Sequence, residues 1–156
     1  MTGTLNILLA GALGYIMFLG TKDTESPIVK INFPSDGYEF RTYKQIEVAA
    51  KDNKGVKSVT YFIDEEKYHT EDSKNLMKDV WNPCNLSKGK HTLRVEASDK
   101  KGNSASSDII VFYISSELKS DCNGQCDGKA ILDDCGDCSG GSTGLEFNSN
   151  RDCNGD

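Results

Sequence analysis

The 156-residue chain has room for one domain of ordinary size and an appendage. Its net charge of −6 is concentrated near the C-terminus, since the segment from Lys119 to Asp156 contains three basic and eight acidic residues. A nucleic-acid partner is therefore not expected, because phosphate binding needs a basic surface. Carboxylates at this density are instead compatible with a hard cation such as calcium.

An uncharged apolar stretch, Leu5–Leu19, stands near the start of the chain. It is short for a membrane-spanning helix, which needs roughly twenty residues, and it fits the hydrophobic region of a signal peptide. No Lys or Arg precedes the stretch, and no clear small-residue cleavage site follows it. Residues 1–20 are therefore predicted to be a helical signal peptide or membrane anchor, with a buried helix of the domain as the alternative. Any membrane contact is expected through residues 5–19 only.

After a polar linker at residues 21–26, short segments of alternating residues are separated by turns. The alternation is clearest around residues 89–99, where Leu93, Val95 and Ala97 share one face. The predicted strands are 27–33, 38–40, 45–51, 56–64, 75–81, 89–99 and 104–114, with a brief pairing at 68–70. Residues 109–114 are apolar at every position, which predicts a strand that is covered on both faces or is partly covered by a neighbouring segment. About seven strands in roughly ninety residues are typical of an all-β, immunoglobulin-like sandwich.

Several turn signatures occur together in this region. A Pro-x-x-Gly turn spans residues 34–37, an Ala-x-Asp-x-x-Gly-Val turn spans 50–56, and Trp81 ends the fifth predicted strand. A Gly-x-His-x-Leu strand then leads into Ala-x-Asp-x-x-Gly-Asn at 97–103. In combination these residues resemble the bacterial Ig-like domains found in tandem on secreted and surface proteins, over residues 27–115. The resemblance implies a non-enzymatic domain with no shared ligand site and no inter-sheet disulfide of the antibody kind.

Asp52 and Asp99 each occupy the Asp-x-x-Gly part of one of these turns. A carboxylate in this position can accept backbone N–H bonds, so both residues are predicted to stabilise their turns. The alternative makes them calcium ligands between domains, as in cadherin-like arrays.

Residues 116–156 form an acidic, Cys-rich tail that is predicted to be irregular. Asp121-Cys-Asn-Gly recurs as Asp152-Cys-Asn-Gly, 31 residues later, and the second copy breaks off at Asp156. The segment resembles the Asp/Cys/Gly-rich repeats that follow carbohydrate-active or Ig-like domains in some secreted bacterial proteins. The resemblance implies a stalk or spacer, and the incomplete repeat suggests a longer parent protein.

Five cysteines of the tail are candidates for disulfides, which replace a hydrophobic core in segments poor in apolar residues. They are Cys122, Cys126, Cys135, Cys138 and Cys153. A four-thiolate zinc site is the alternative, because Cys135 and Cys138 have zinc-ribbon spacing. An export signal favours disulfides, and four cysteines leave three pairings open. Cys84, which follows Pro83, is expected to be a small apolar filler.

The tail also contains candidate calcium ligands that alternate with Gly and Asn. They are Asp121, Asp127, Asp133, Asp134 and Asp137. Flexible, oxygen-rich loops suit the six to eight ligands of calcium, although the chain has no complete EF-hand loop. The alternative is a solvated linker held by disulfides. No other cofactor is expected.

Catalysis is not expected, because His69 and His91 lack a neighbouring nucleophile motif. The leading hypothesis is an exported or cell-surface modular protein that acts in adhesion, display or spacing, with surface proteins or glycans as partners. The second is an accessory carbohydrate-binding fragment of a larger secreted enzyme, and the third is a calcium-binding module. An exposed patch of aromatic residues would support sugar stacking, and its candidates are Tyr38, Tyr43, Tyr61, Phe62 and Tyr68.

Overall fold

The structure, a computed structural model, describes residues 22–72 and 81–149. In these ranges the fold is all-β, as predicted. The strands are β1 (Ile28–Phe33), β2 (Tyr38–Phe40), β3 (Glu47–Lys51), β4 (Val56–Ile63), β5 (Glu66–Asp72), β6 (Gly89–Asp99), β7 (Ser104–Ser106), β8 (Ile110–Ile114), β9 (Ile131–Leu132) and β10 (Cys138–Ser139). A 3₁₀ turn spans Pro83–Asn85. The predicted N-terminal helix and most of the strand predicted at 75–81 lie outside the described residues.

The strands form a sandwich of one large and one small sheet. The large sheet has the order β2-β8-β6-β4-β5, with β7 paired to the far end of β6. β2 runs parallel to β8, and the other pairs in this sheet are antiparallel. The small sheet consists of β1 and β3, whose half-buried Val29, Ile31 and Val48 pack against the core of the large sheet.

The core lies on the inner faces of β4 and β6, the two central strands. Val59 and Tyr61 of β4 and Leu93, Val95 and Ala97 of β6 have no exposed surface. These are residues at every second position, which the alternating pattern predicts to face inward. The prediction of the inward faces of these two strands is therefore confirmed.

Phe40 lies at the centre of an aromatic group that closes one end of the core. Its ring centroid is 5.0 Å from that of Tyr38, 5.5 Å from Trp81 and 5.7 Å from Phe112. The buried Trp81 indole donates a hydrogen bond to the Lys44 carbonyl at 3.0 Å. Because a buried indole N–H needs an acceptor, this bond fixes the segment that leads into β3.

The prediction of one strand over residues 104–114 is wrong, because the strand is interrupted between β7 and β8. The pairing register with β6 slips by one residue between Glu96↔Ser106 and Leu93↔Ile110. At the break, the Ser107 hydroxyl accepts a hydrogen bond from the Val95 N–H at 3.0 Å and donates one to the Asp108 carbonyl at 2.9 Å. The extra residue is thus accommodated as a bulge, held by a side chain.

Of the two expectations for residues 109–114, coverage of both faces is wrong, whereas partial covering agrees with the pairing of β2 along one edge of β8. Phe112 and Ile114 are buried, but Ile109 is 55% exposed and Tyr113 is 39% exposed. The outer face of the strand is therefore only partly covered at these two residues. No helix in the described ranges is long and apolar enough to cross a membrane, and residues 5–19 lie outside them.

Leu93→Ala is expected to lower the free energy of unfolding by about 2–5 kcal/mol, because it leaves a cavity at a fully buried position of β6. Leu132→Ala is the matched control. Leu132 is 63% exposed in β9, so the same substitution is expected to change stability by less than about 0.5 kcal/mol. Urea unfolding followed by far-UV circular dichroism measures both. Equal losses in the two variants would contradict the placement of β6 at the centre of the core.

Candidate functional site

The tail is joined to the sandwich where the chain leaves β8. Leu118 is 1% exposed and belongs to the same hydrophobic core as the residues of β4 and β6. Cys126 is buried beside it and forms a disulfide with Cys84, which lies 42 residues earlier in the 3₁₀ turn. An apolar anchor and a covalent bond therefore attach the tail to the sandwich.

Polar contacts reinforce this junction. The Lys88 ammonium donates a hydrogen bond to the Leu118 carbonyl. The Tyr43 N–H donates to Asp127 Oδ2 at 3.0 Å, and the Asp127 N–H donates to the Lys119 carbonyl at 2.9 Å. These bonds connect the tail to the loops between β2 and β3 and before β6, so the chain after β8 is attached to the sandwich as far as Asp127.

The expectation that Cys84 is an apolar filler is wrong. Leu118 and Cys126 belong to the same core cluster, against which Cys84 packs, and the Cα atoms of Cys84 and Cys126 are 5.5 Å apart. Pairing across 42 residues leaves no local signal in the sequence. One signal could have indicated this bond: the chain has six cysteines, five of them in the tail. If all six form disulfides within the chain, one tail cysteine must pair with Cys84.

The other tail cysteines are also oxidised in the described part of the chain. Cys122 and Cys138 form a second disulfide, and Cys135 is disulfide-bonded as well. Cys153 lies outside the described residues. Disulfide chemistry in the tail is therefore confirmed, and cysteines in this state are not available as the four thiolates of a zinc site.

Three aspartates hold five-residue loops of the same geometry: Asp99, Asp121 and Asp133. In each loop, Oδ1 accepts the N–H of the second and fourth following residues, at 2.8–3.0 Å. The aspartate N–H in turn donates to the carbonyl of the fourth residue. The third following residue is a glycine at positive φ in all three loops, and this conformation is costly for other residues. In the described part of the chain this loop geometry therefore occurs at one Asp-x-x-Gly sequence of the sandwich, that of Asp99, and at two of the tail.

The second oxygen of each tail aspartate reaches a more distant segment. Asp121 Oδ2 accepts the Ala130 N–H at 3.0 Å, and Asp133 Oδ2 accepts the Asn148 N–H at 3.3 Å. A Cβ at Gly128 would lie 2.0 Å from Asp121 Oδ2, so that position requires glycine. Burial would raise the pKa of Asp121, but the three backbone N–H bonds outweigh it and hold that pKa below its ordinary value.

The tail aspartates predicted to bind calcium are spread over several separate contacts. Asp127 accepts from Tyr43, and Asp134 accepts from the Asn148 side chain at 2.7 Å. Asp137 lies in the loop closed by Asp133. Within residues 22–72 and 81–149, these carboxylates form no group of three with ligand atoms inside 4.8 Å of one another. Calcium binding by the tail stays a prediction.

One group of carboxylates does converge, at the end of the sandwich where the chain enters β1. Oxygens of Asp23, Asp52 and Asp99 lie within 4.8 Å of one another. Asp52 Oδ2 accepts the Lys54 N–H at 2.7 Å, and Asp99 holds the loop described above. The contacts required for the predicted turn-stabilising role are therefore present at both residues. No pattern in the sequence marks Asp23, which lies in the predicted linker but is only 8% exposed.

The histidines do not form a recognisable catalytic arrangement in the described part of the chain. His91 is buried, and its Nδ1 lies 2.6 Å from Asp64 Oδ2 while its Nε2 lies 2.9 Å from the Ser87 carbonyl. Burial would raise the pKa of Asp64, but the hydrogen bonds from His91 and from the Thr92 N–H outweigh it and lower that pKa. His69 lies in β5, opposite Tyr61 of β4. The His91 pair joins the β4–β5 turn to the start of β6.

Comparison with known proteins gives one family match and similarity to solved structures. Residues 27–95 match the family described as the bacterial Ig domain. No curated protein matches the chain. Among solved structures, the fibronectin(III)-like modules of CbhA from Clostridium thermocellum share 16% identity, with a TM-score of 0.46 over 56% of this chain and 94% of that one. The endo-beta-1,4-mannanase from Thermotoga petrophila shares 12% identity, with a TM-score of 0.40 over 64% of this chain and 22% of that one.

The family match covers less than half of the chain, and together with the sandwich it supports an Ig-like fold for this part. The match ends at residue 95, within β6, whereas the core continues through Phe112 and Ile114 of β8 to Leu118. The Asp/Cys/Gly-rich tail lies outside the matched residues, so its likeness to stalk repeats stays a prediction.

The exposed aromatic patch predicted for sugar stacking is not present. Tyr61 has no exposed surface, and Tyr68 and Tyr38 pack against the core. Phe62 lies under the Arg94 guanidinium, 4.0 Å from the ring centroid. Tyr43 is the exposed member of the set, at 42%. The alternation that places Tyr61 inward is the physical reason, because Val59 and Ile63 share its face.

Asp121→Asn is expected to loosen the first tail loop. An asparagine amide in place of Oδ2 would face the Ala130 N–H, so two donors would oppose each other where an acceptor is needed. Amide exchange at Asn123, Gln125 and Ala130 should become faster, on the order of tenfold, while exchange in β4 and β6 stays unchanged. Asp108→Asn, at an exposed loop residue, is the control and should change none of these rates.

The effect of Asp121→Asn should also depend on pH. Because the folded pKa of Asp121 lies below the ordinary value of 3.8, its contribution is fully present above that pH and is lost as pH falls through the folded pKa. The stability difference between the wild type and the variant, measured by urea unfolding, should therefore be constant from pH 7 to pH 5 and shrink as the pH is lowered below 3.8. A difference that grows on acidification would show that the ionised carboxylate is not what the loop requires.

Proposed function

We propose that this chain is an exported, non-catalytic module whose Ig-like domain holds the Cys-rich tail in a fixed orientation for display, adhesion or spacing. The observation that carries the proposal is the Cys84–Cys126 disulfide, together with the burial of Leu118 in the sandwich core. A flexible stalk would need neither a disulfide to the sandwich nor a side chain buried in its core. The contacts instead suit a tail whose position relative to the sandwich matters.

Export is supported by the state of the cysteines. Disulfides persist in oxidising compartments outside the cytoplasm and are rare in reducing ones. Two disulfides join described residues, and Cys135 takes part in another. The apolar stretch at residues 5–19 would then act as the signal peptide or anchor, and the proposed localisation is the cell surface or the extracellular medium.

The tail supplies the surface that such a module would present. From Lys119 to Asp156 it combines a net charge of −5 with exposed apolar side chains, of which Ile131, Leu145 and Phe147 are at least half exposed. Other surface proteins or glycans are the proposed partners. A specifically carbohydrate-binding role has less support, because most of the aromatic residues that suggested it are buried or packed against the core.

Cys84→Ser/Cys126→Ser is expected to separate the motion of the tail from that of the sandwich. On a chain-entropy estimate, closing the 42-residue loop contributes about 4 kcal/mol. ¹⁵N relaxation should give one rotational correlation time for both parts of the wild type, and a shorter effective time for the tail of the variant. Peptide mapping of exported protein under non-reducing conditions should recover Cys84 linked to Cys126.

Cys122→Ser/Cys138→Ser is the matched control, since this pair closes a loop within the tail. It should increase motion in residues 128–139 and leave Leu118 and Cys126 as rigid as the sandwich. Independent tumbling of the tail in the wild type, or free thiols at Cys84 and Cys126 in exported protein, would refute the proposed function.

A further inference from the structure

The carboxylates of Asp23, Asp52 and Asp99 come together from three separate parts of the chain. Asp23 precedes β1, Asp52 follows β3, and Asp99 ends β6. One oxygen from each lies within 4.8 Å of the others. In residues 22–72 and 81–149, no Lys or Arg side chain forms an ion pair with any of them. Three like charges in one place are unfavourable unless a cation balances them.

Two oxygens in this group have no hydrogen-bond partner although they are buried. They are Asp23 Oδ2 and Asp52 Oδ1. Asp23 is 92% buried as a residue, since its exposed fraction is 8%. Its other oxygen accepts the Glu25 N–H at a long 3.3 Å. Buried, unpaired carboxylate oxygens are costly, and a bound cation is the partner that removes the cost for both at once.

The remaining hydrogen bonds orient the carboxylates of Asp52 and Asp99 but do not satisfy the two unpartnered oxygens. Asp52 Oδ2 is oriented by the Lys54 N–H, which leaves Oδ1 unpartnered. Asp99 is held by two backbone N–H groups and by the Asn103 side chain at 2.7 Å. The same Asn103 amide also donates to the Asp23 carbonyl at 3.3 Å, which ties the entering chain to the Asp99 loop.

We infer that these three aspartates form a calcium site that fastens the segment before β1 to the β3–β4 and β6–β7 turns. The donors are all oxygen, which suits a hard cation and not a thiolate- or imidazole-seeking metal. Two oxygens bound to one calcium at 2.3–2.6 Å lie no more than about 5 Å apart, in agreement with the observed cluster. The site is distinct from the calcium site predicted in the tail, and it does not depend on the proposed function.

The test uses the full chain, freed of metal with EDTA and then dialysed. Adding 1 mM CaCl₂ is expected to raise the Tm by about 3–8 °C, and calorimetric titration should give one ion per chain. In ¹H–¹⁵N spectra, the amides of Glu25, Lys54 and Lys101 should shift, whereas those of Asn123 and Cys135 in the tail should not. The same concentration of MgCl₂ should have a smaller effect on the Tm.

Asp23→Asn distinguishes a cation ligand from a residue with a merely structural role. Its Oδ1 can keep the Glu25 N–H bond, and its amide can donate where Oδ2 had no partner. The variant should therefore lose the calcium-dependent rise in Tm while melting at or above the metal-free wild type. A structural residue would instead lower the Tm with and without calcium.

Asp108→Asn is the matched control, because it removes one negative charge from an exposed loop residue that belongs to neither calcium site and leaves the cluster intact. It should retain the full calcium response. The inference is overturned if calcium does not raise the Tm of the wild type, if Asp108→Asn loses the response while Asp23→Asn keeps it, or if magnesium acts as strongly as calcium.

Discussion

The tail depends on carboxylates that accept backbone N–H groups. It has too few apolar side chains to build a core, so its loops need another source of order. Asp121 and Asp133 each supply it by closing a five-residue loop with Oδ1 and reaching a distant strand or turn with Oδ2. A charged acceptor makes stronger hydrogen bonds than a neutral one, and this explains why aspartate occupies both positions. The acidity of the tail is therefore partly a structural requirement, and is not by itself evidence of a ligand.

The disulfide between Cys84 and Cys126 determines whether the tail can move relative to the sandwich. Loops held only by Asp121, Asp133 and the Cys122–Cys138 bond would be ordered internally but free to move relative to the sandwich. The chain itself joins the tail to β8. A second attachment, formed by the buried Leu118 and the Cys84–Cys126 bond, removes that freedom. Local order and orientation thus come from different interactions, so substitutions can separate them. The proposed role in display or spacing depends on the second.

The features predictable from sequence were those with a local cause. Alternation of side chains specified the inner faces of β4 and β6, and glycine at positive φ marked the turn after Asp99. The bulge at Ser107 was not predicted, because the sequence from Ser104 to Ile114 has the pattern of one continuous strand. The bulge is visible only in the pairing register with β6. The Cys84–Cys126 bond joins residues that are 42 positions apart, and Asp23 is buried beside carboxylates from two other segments. Patterns in a single sequence do not indicate contacts between such distant residues.

Asp99 and Asp121 show why the same motif has different chemistry in two places. Both close an Asp-x-x-Gly loop, and in both the two carboxylate oxygens accept three hydrogen bonds from nitrogen donors. The difference is in the neighbours. Asp121 Oδ2 faces the Ala130 N–H, so its charge is balanced by protein donors alone, whereas Asp99 lies beside two further carboxylates that each carry an unpaired buried oxygen. The loop sequence fixes the position of the aspartate, and the tertiary packing of the segment before β1 determines the need for a cation.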